Sequence, residues 1–331
     1  MIASNTAGRL LVDAVCPLIT DDGKFLDWYR DGGATTVAPT LGSTESAFVT
    51  LERLARWHRL LREDKSLALV RTSEDVRIAA EVGRLGVYFH LQGTDPVEDN
   101  VDLIDLYKAL GVGMIQLSYN VRNRVGDGCE EPNPAGLSRF GRRLVERLNA
   151  AEVIIDVSHT SEPTALDAIE ISTAPVVLSH SNLSTVHASP RNVSDRLVKA
   201  VAATGGVVGM VGFPALVSPS TVPTVDDLVR HIDAASALVG TSHIALGLDY
   251  YAGQAGVASD EHAMSGYKAA VAAGIWGPSY PPPPHHYPAE ISTPRNLGAL
   301  PDALARRGYA EDAINDILGL NWLRVFRAVW G

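Results

Sequence analysis

The chain has 331 residues, 46% of them hydrophobic and 20% charged, a composition that excludes a disordered protein and supplies enough apolar material for a large core. A formal net charge of −10 speaks against nucleic acid and against an anionic membrane surface as partners, because both repel a negative average surface. The two cysteines, Cys16 and Cys129, are too few for a disulfide framework and neither stands in a Cys-x-x-Cys, so a reducing cytoplasm is the expected setting.

Residues 1–9 show no basic stretch ahead of an apolar one, and Asp13 interrupts the apolar run that follows. That pattern does not suggest a secretory leader, and no run reaches the roughly 18–20 apolar residues of a membrane span. From there, strand-like runs at 9–15, 35–39, 66–70, 86–92, 113–118, 153–158, 175–179, 206–211 and 243–248 alternate with helical patterns at 44–62, 72–84, 101–110, 137–149, 162–170, 194–204 and 224–238. Such alternation is the signature of parallel βα units. Nine strands compete for eight places, and the short run 66–70 is taken as accessory. The predicted fold is therefore a (β/α)8 TIM-type barrel, one domain over residues 1–331. Helix starts are marked by Ser161-Glu162-Pro163 and by Thr72-Ser73-Glu74-Asp75, a proline in the first turn and a hydroxyl cap with acidic followers.

After Tyr250 the pattern changes. Residues 251–296 are rich in glycine and proline and include Pro281-Pro282-Pro283-Pro284-His285-His286, which reads as a long surface loop or a subunit contact, compatible with a homodimer, or alternatively as a cover over the barrel rim. Helices at 298–306 and 310–329 close the chain, the last with an apolar end expected to pack as core.

Two histidines close two of the apolar runs, His159 after Val153-Ile154-Ile155-Asp156-Val157-Ser158 and His180 after Ala174-Pro175-Val176-Val177-Leu178-Ser179. Parallel strands end at the carboxyl edge of the barrel, where chemistry gathers. Two neutral nitrogen donors there suit a transition metal, and equally a metal-free acid–base pair; each taken alone also reads as a satisfied structural histidine.

Read together, several segments resemble the renal (membrane) dipeptidase family, peptidase family M19. They are Gln116-Leu117-Ser118-Tyr119-Asn120 with Gly126-Asp127-Gly128, Gly136-Leu137-Ser138 with Phe140-Gly141, Ile155-Asp156-Val157-Ser158-His159, Ser179-His180-Ser181-Asn182, Arg191-Asn192-Val193-Ser194-Asp195, and Gly247-Leu248-Asp249-Tyr250. The resemblance covers roughly residues 86–331 and implies a barrel of amidohydrolase type with two zinc ions. It implies that His159 and His180 ligate one zinc, that Arg191, with Asn192 beside it, receives a substrate carboxylate, and that Asp249 transfers protons. Tyr119 stands in the substrate-polarising position, where its hydroxyl can donate to an oxyanion. For Arg191 and Asp249 the plainer alternatives are an ion pair with Asp195 and a helix cap.

The departures narrow this. Where the family carries His-x-Asp, this chain has Val15 and Pro17, and the bridging glutamate is Gln92. A neutral amide offsets the repulsion of two dications poorly, so at most one Zn2+ is expected, on His159, His180 and Gln92. In this the chain is similar to a bacterial branch of the family. His90, on the same strand face as Gln92, is a candidate third nitrogen. The leading expectation is a hydrolase of a dipeptide or N-acyl amino acid, a small molecule bearing a carboxylate. The alternatives are a metal-free lyase or isomerase using the histidine pair as acid and base, and a non-catalytic barrel that binds a small carboxylate.

Overall fold

The computed structural model describes residues 8–277 and 279–331; most of the amino-terminal stretch read for a leader lies outside them. Eight parallel staves surround one axis. They are β1 (Val12–Asp13), β2 (Thr36–Val37 continuing as Thr40–Gly42), β3 (Leu85–Val87 continuing as Phe89–Leu91), β4 (Val112–Gln116), β5 (Ile154–Asp156), β6 (Val176–Val177), β7 (Val208–Met210) and β8 (Ile244–Leu246). Neighbours pair in chain order, with Thr40 opposite His90, His90 opposite Met114 and Gln116 opposite Asp156. A parallel bridge between Leu178 and Val208 joins β6 to β7. The ring closes where Ala14 N donates to Leu246 O at 3.3 Å and Asp249 N to Val15 O at 3.1 Å. The structure thus has the predicted (β/α)8 barrel.

The run 66–70 contributes Leu67–Leu69, which pairs only with Leu85–Val87 and stands outside the ring, as its length suggests. Most staves are shorter than the apolar run that encodes them, whereas β2 extends beyond its run 35–39 to Gly42. Helices fill the outer ring. Ser161 Oγ accepts from Thr164 N at the start of Glu162–Ile171, and Thr72 with Asp75 forms a reciprocal cap on Ser73–Glu81, the mutual satisfaction of otherwise unpaired donors that starts a helix.

The final helix, Asn321–Trp330, plugs the amino-terminal end of the barrel. Trp322 Nε1 donates to Leu246 O and Trp330 Nε1 to Gly113 O, while Phe326 and Trp330 meet the edge of Tyr88 with ring centroids 5.3 and 5.1 Å away. The predicted helix 310–329 is divided by a wider turn at Asp316–Leu320. No helix among the described residues is long and apolar enough to cross a membrane. With the lower end sealed, the carboxyl-end rim is left for chemistry.

Candidate active site

The rim gathers one contribution from each of several strand ends: Gln92 after β3, Tyr119 and Asn120 after β4, His159 after β5, His180 after β6 and Asp249 after β8. Three of them, Asn120, His159 and Asp249, hold left-handed backbone at φ of 57°, 59° and 59°. Such conformations are costly outside glycine and cluster where a side chain must be aimed.

His159 and His180 face each other with their Nε2 atoms 2.8 Å apart. Their other nitrogens fix the proton positions. Asn120 Nδ2 donates to Ile275 O at 2.9 Å, so its Oδ1 is the acceptor that His159 Nδ1–H meets at 2.6 Å. Ser179 Oγ donates to Asp156 Oδ2 at 2.5 Å and so accepts from His180 Nδ1–H at 2.6 Å. Burial, and after it the Arg191 guanidinium, pushes both imidazoles well below the usual histidine range. Two neutral rings of this tautomer point lone pairs at each other, an arrangement relieved by a cation or a shared proton between them.

Beneath them, Asp156 is an anchor that the sequence reading did not single out. Its Oδ1 accepts from the Ser158 and Ser179 amides at 2.9 and 3.0 Å, and His90 Nε2 lies 3.3 Å from its Oδ2. Burial raises this carboxyl, but His90, then His180 and the Ser179 hydroxyl outweigh it and hold it well below the usual carboxylate range. The signal was available: a lone acid at an inward position of an otherwise apolar run.

Gln92 Nε2 donates to Asp249 Oδ1 at 3.2 Å. Burial pushes Asp249 up to about 7, against the pull of Arg191 and Gln92, which sets it to exchange protons near neutrality. Tyr119 stacks on His159 with centroids 4.2 Å apart, and burial raises its phenol to about 12, keeping a proton available to donate. Arg191 is 1% exposed. Its Nη1 reaches Ser181 Oγ at 3.1 Å and its Nη2 reaches His180 O at 2.7 Å, while Nε has no partner. No ion pair neutralises it among the described residues; Asp195 instead accepts from Thr185. Asn192 spends its amide nitrogen on His187 O and Leu216 O, which holds the loop carrying Arg191. A cleft of about 340 Å3 is lined by His159, Arg191, Asn192 and Cys129.

Other expectations fare differently. His90 is not gathered into a third-ligand position: it turns to Asp156, its ring 6.4 Å from that of His180. Val15 is packed in the apolar cluster around Trp322 and Phe326, and Pro17 opens the short turn Pro17–Ile19, so neither offers a ligand. Among the described residues no three or more His, Cys, Asp or Glu converge as a metal cluster. The two facing Nε2 atoms are the nitrogen donors that could hold a cation at this rim. The segment 251–296 is more than a loop. It contains the helix Asp260–Ala272, and it covers the rim: Trp276 Nε1 donates to Tyr119 OH at 3.3 Å, Tyr280 OH reaches Asn120 Oδ1 at 3.4 Å, and Tyr287 OH donates to Asp249 O. Phe213 packs among Tyr251, Trp276, Tyr280, His285 and Tyr287.

The family model for membrane dipeptidases (peptidase family M19) matches residues 29–273. A protein of Klebsiella pneumoniae described as an uncharacterized protein in the pqqA 5' region is 28% identical over 275 residues, 80% of this chain and 89% of that protein. The dipeptidase verJ of Clonostachys rogersoniana is 27% identical over 86% of this chain, which spans 66% of its length. Among solved structures, an amidohydrolase from Pseudomonas aeruginosa aligns over 98% of both chains at 29% identity with a TM-score of 0.89. A metallo peptidase from Rhodobacter sphaeroides, liganded with a phosphinate mimic of the dipeptide L-Ala-D-Ala, shares the fold with a TM-score of 0.80 at 19% identity over 97% of this chain and 99% of that chain.

Proposed function

The chain belongs to the membrane dipeptidase family, peptidase family M19, and on that premise we propose that it is a hydrolase of a dipeptide or an N-acyl amino acid, working with one metal ion held by His159 and His180. The observation that carries the reading is the pair of opposed Nε2 lone pairs, 2.8 Å apart, with both distal N–H groups committed to oxygen acceptors. That commitment of the second nitrogen is what orients a metal-binding imidazole. A divalent cation there would polarise the scissile carbonyl and acidify a water.

The remaining work belongs to side chains. The buried Arg191 fork receives the substrate carboxylate, which supplies the counter-charge that the fold leaves out. Tyr119 keeps its proton at neutral pH and donates it as a hydrogen bond to the carbonyl oxygen as negative charge grows there. Asp249 takes a proton from the attacking water and returns it to the leaving amine, a transfer favoured by a carboxyl poised at about 7.

The test is metal analysis of untagged protein together with a screen of dipeptides and N-acyl amino acids. Close to one zinc per chain is expected, with hydrolysis lost on chelation and restored by Zn2+. Hydrolysis that survives complete chelation overturns the metal. It would favour the reading in which one proton is shared between the imidazoles, and the pair then acts as acid and base in a metal-free reaction.

A further inference from the structure

The cover over the rim meets His159 through two consecutive residues after β4. Tyr119 lies flat on the imidazole and accepts from Trp276. Asn120 uses both ends of its amide, Oδ1 on His159 Nδ1–H at 2.6 Å and Nδ2 on the carbonyl of Ile275, 155 residues along the chain, at 2.9 Å. Asn120 is fully buried, and Tyr280 OH approaches the same Oδ1 at 3.4 Å.

We propose that Asn120 is a positioning residue through which the cover selects the tautomer of His159. The two ends of a carboxamide are not equivalent: the oxygen only accepts and the nitrogen only donates. The Ile275 carbonyl accepts, so it holds the Asn120 nitrogen toward itself and turns the oxygen toward His159. That oxygen in turn requires the proton on Nδ1 and leaves the lone pair on Nε2, facing His180. When the cover withdraws both Ile275 O and Tyr280 OH, only the weak Cys129 Sγ donor, 3.6 Å from Oδ1, still holds the amide, which can then rotate by half a turn and present its nitrogen to Nδ1. Nδ1 would then become the acceptor and the ring proton would move to Nε2, where it blocks the face that the proposed reaction uses. Docking of the cover and readiness of His159 are thus one event, joined by a single amide. The inference deepens the reading of His159 as a working imidazole and rests on that reading only where turnover is concerned.

Two substitutions separate the two ends. Asn120→Asp keeps an acceptor toward His159 in either orientation but sets oxygen against the Ile275 carbonyl. Asn120→Gly removes both bonds and tolerates the φ of 57° without strain. The readouts need no substrate: the tautomer of His159 from long-range proton–nitrogen spectra of histidine-labelled, metal-free protein, and amide exchange of the Ile275 and Trp276 N–H groups, which donate to Ala270 O at 3.0 and 3.3 Å.

In Asn120→Asp, His159 should stay in the Nδ1–H form while those amides exchange up to about tenfold faster, the scale of one lost hydrogen bond. In Asn120→Gly, exchange should accelerate similarly and the Nε2–H form of His159 should appear, with kcat falling more than KM rises. A wholly Nδ1–H His159 in Asn120→Gly, or unchanged exchange in Asn120→Asp, overturns the proposal. Should the glycine variant not fold, the exchange of the near-isosteric aspartate variant decides by itself. If these spectroscopic results hold while no dipeptide or N-acyl amino acid is cleaved, the functional reading falls and the positioning role stands.

Discussion

On the β5–β6 side of the rim, two hydrogen-bonded arms, Asp156–Ser179–His180 and Asn120–His159, meet at the facing Nε2 atoms of the two imidazoles. On the β1–β2 side, Asp13 keeps one buried carboxyl oxygen without a partner, the hydroxyls of Thr36 and Thr40 have none, and Val15 is packed against the closing helix. The two sides belong to one barrel, yet one is organised to aim imidazoles and the other to fill space. The difference teaches that the proposed chemistry depends on a half-rim whose side chains specify one another, and that the opposite half serves chiefly to carry Asp249 and to close the ring.

The largest effect that tests this asymmetry comes from the point where the two arms meet. His180→Ala removes one of the two opposed nitrogens and leaves Ser179 without its donor, so kcat/KM should fall by about 10³-fold or more. Val15→Ala, on the other side of the barrel, should leave kcat/KM within about threefold and lower the melting temperature instead, because it opens a cavity in the core. Comparable kinetic losses in both variants would erase the distinction between the halves.

Next is Arg191→Lys. Lysine keeps the charge but loses the fork, and each charge-assisted hydrogen bond that disappears is on the order of 1.5–3 kcal/mol, roughly ten- to a hundredfold or more in kcat/KM. The loss should appear on a substrate carboxylate and vanish on its amide. Since Arg191 also donates to His180 O, a modest fall in melting temperature accompanies it, and the contrast between the two substrates isolates the anchoring role. Equal losses on carboxylate and amide would leave Arg191 a purely structural brace.

The same asymmetry explains what was legible in the sequence. All eight staves and the accessory run were readable because a strand buried on both faces must be apolar along its length, and composition alone reveals that. His159 and His180 were readable because they terminate such runs. Asp156 was passed over as a site residue because apolar periodicity registers what surrounds a strand, although a lone acid inside such a run marks a polar position aimed at the axis. Asn120 was part of a quoted motif, but its partner Ile275 is far along the chain, and no local pattern encodes that meeting. His90 shares a strand face with Gln92 as its spacing requires, yet facing the same way does not give the same height, and it turns to Asp156. The cover was legible only as the alternative to a surface loop, and its helix was not read at all, for a related reason: Asp260–Ala272 has no buried residue, so it lacks a strong apolar stripe.

A smaller effect is expected from restoring the ligands on the poor side. The triple variant Val15→His, Pro17→Asp and Gln92→Glu should raise metal uptake above that of the parent protein, measured by elemental analysis after dialysis, but by less than one full equivalent. Pro17 pre-sets the turn Pro17–Ile19 and Val15 is embedded in apolar neighbours, so the backbone does not present new side chains in ligand geometry without rearrangement. A complete second equivalent would show that side-chain identity alone separates the two halves.

The smallest effect on turnover, within about twofold, is expected from Asp13→Asn, and its consequence lies in stability. Burial, only partly offset by the amides of Leu248 and Val15, raises the Asp13 carboxyl to about 7, above the value of about 3.9 that an aspartate has in an unfolded chain. Between those values the folded protein holds a proton that the unfolded chain has released, so stability falls as pH rises across that window. The contribution is complete below about pH 4 and is lost as pH passes through about 7, by an amount on the order of 1.4 kcal/mol for each unit separating the two states. Asparagine keeps an oxygen for Leu248 N, which Asp13 Oδ1 now receives at 2.8 Å, and carries no charge to desolvate. The variant should therefore show a flatter dependence of melting temperature on pH between 4 and 7 and a higher melting temperature than the parent above 7. Asp249, raised by the same cause, should leave a residual slope of the same sign. A slope identical to that of the parent would mean that Asp13 already stands ionised inside the barrel, and that the β1–β2 side holds a counter-charge as firmly as the β5–β6 side holds its own.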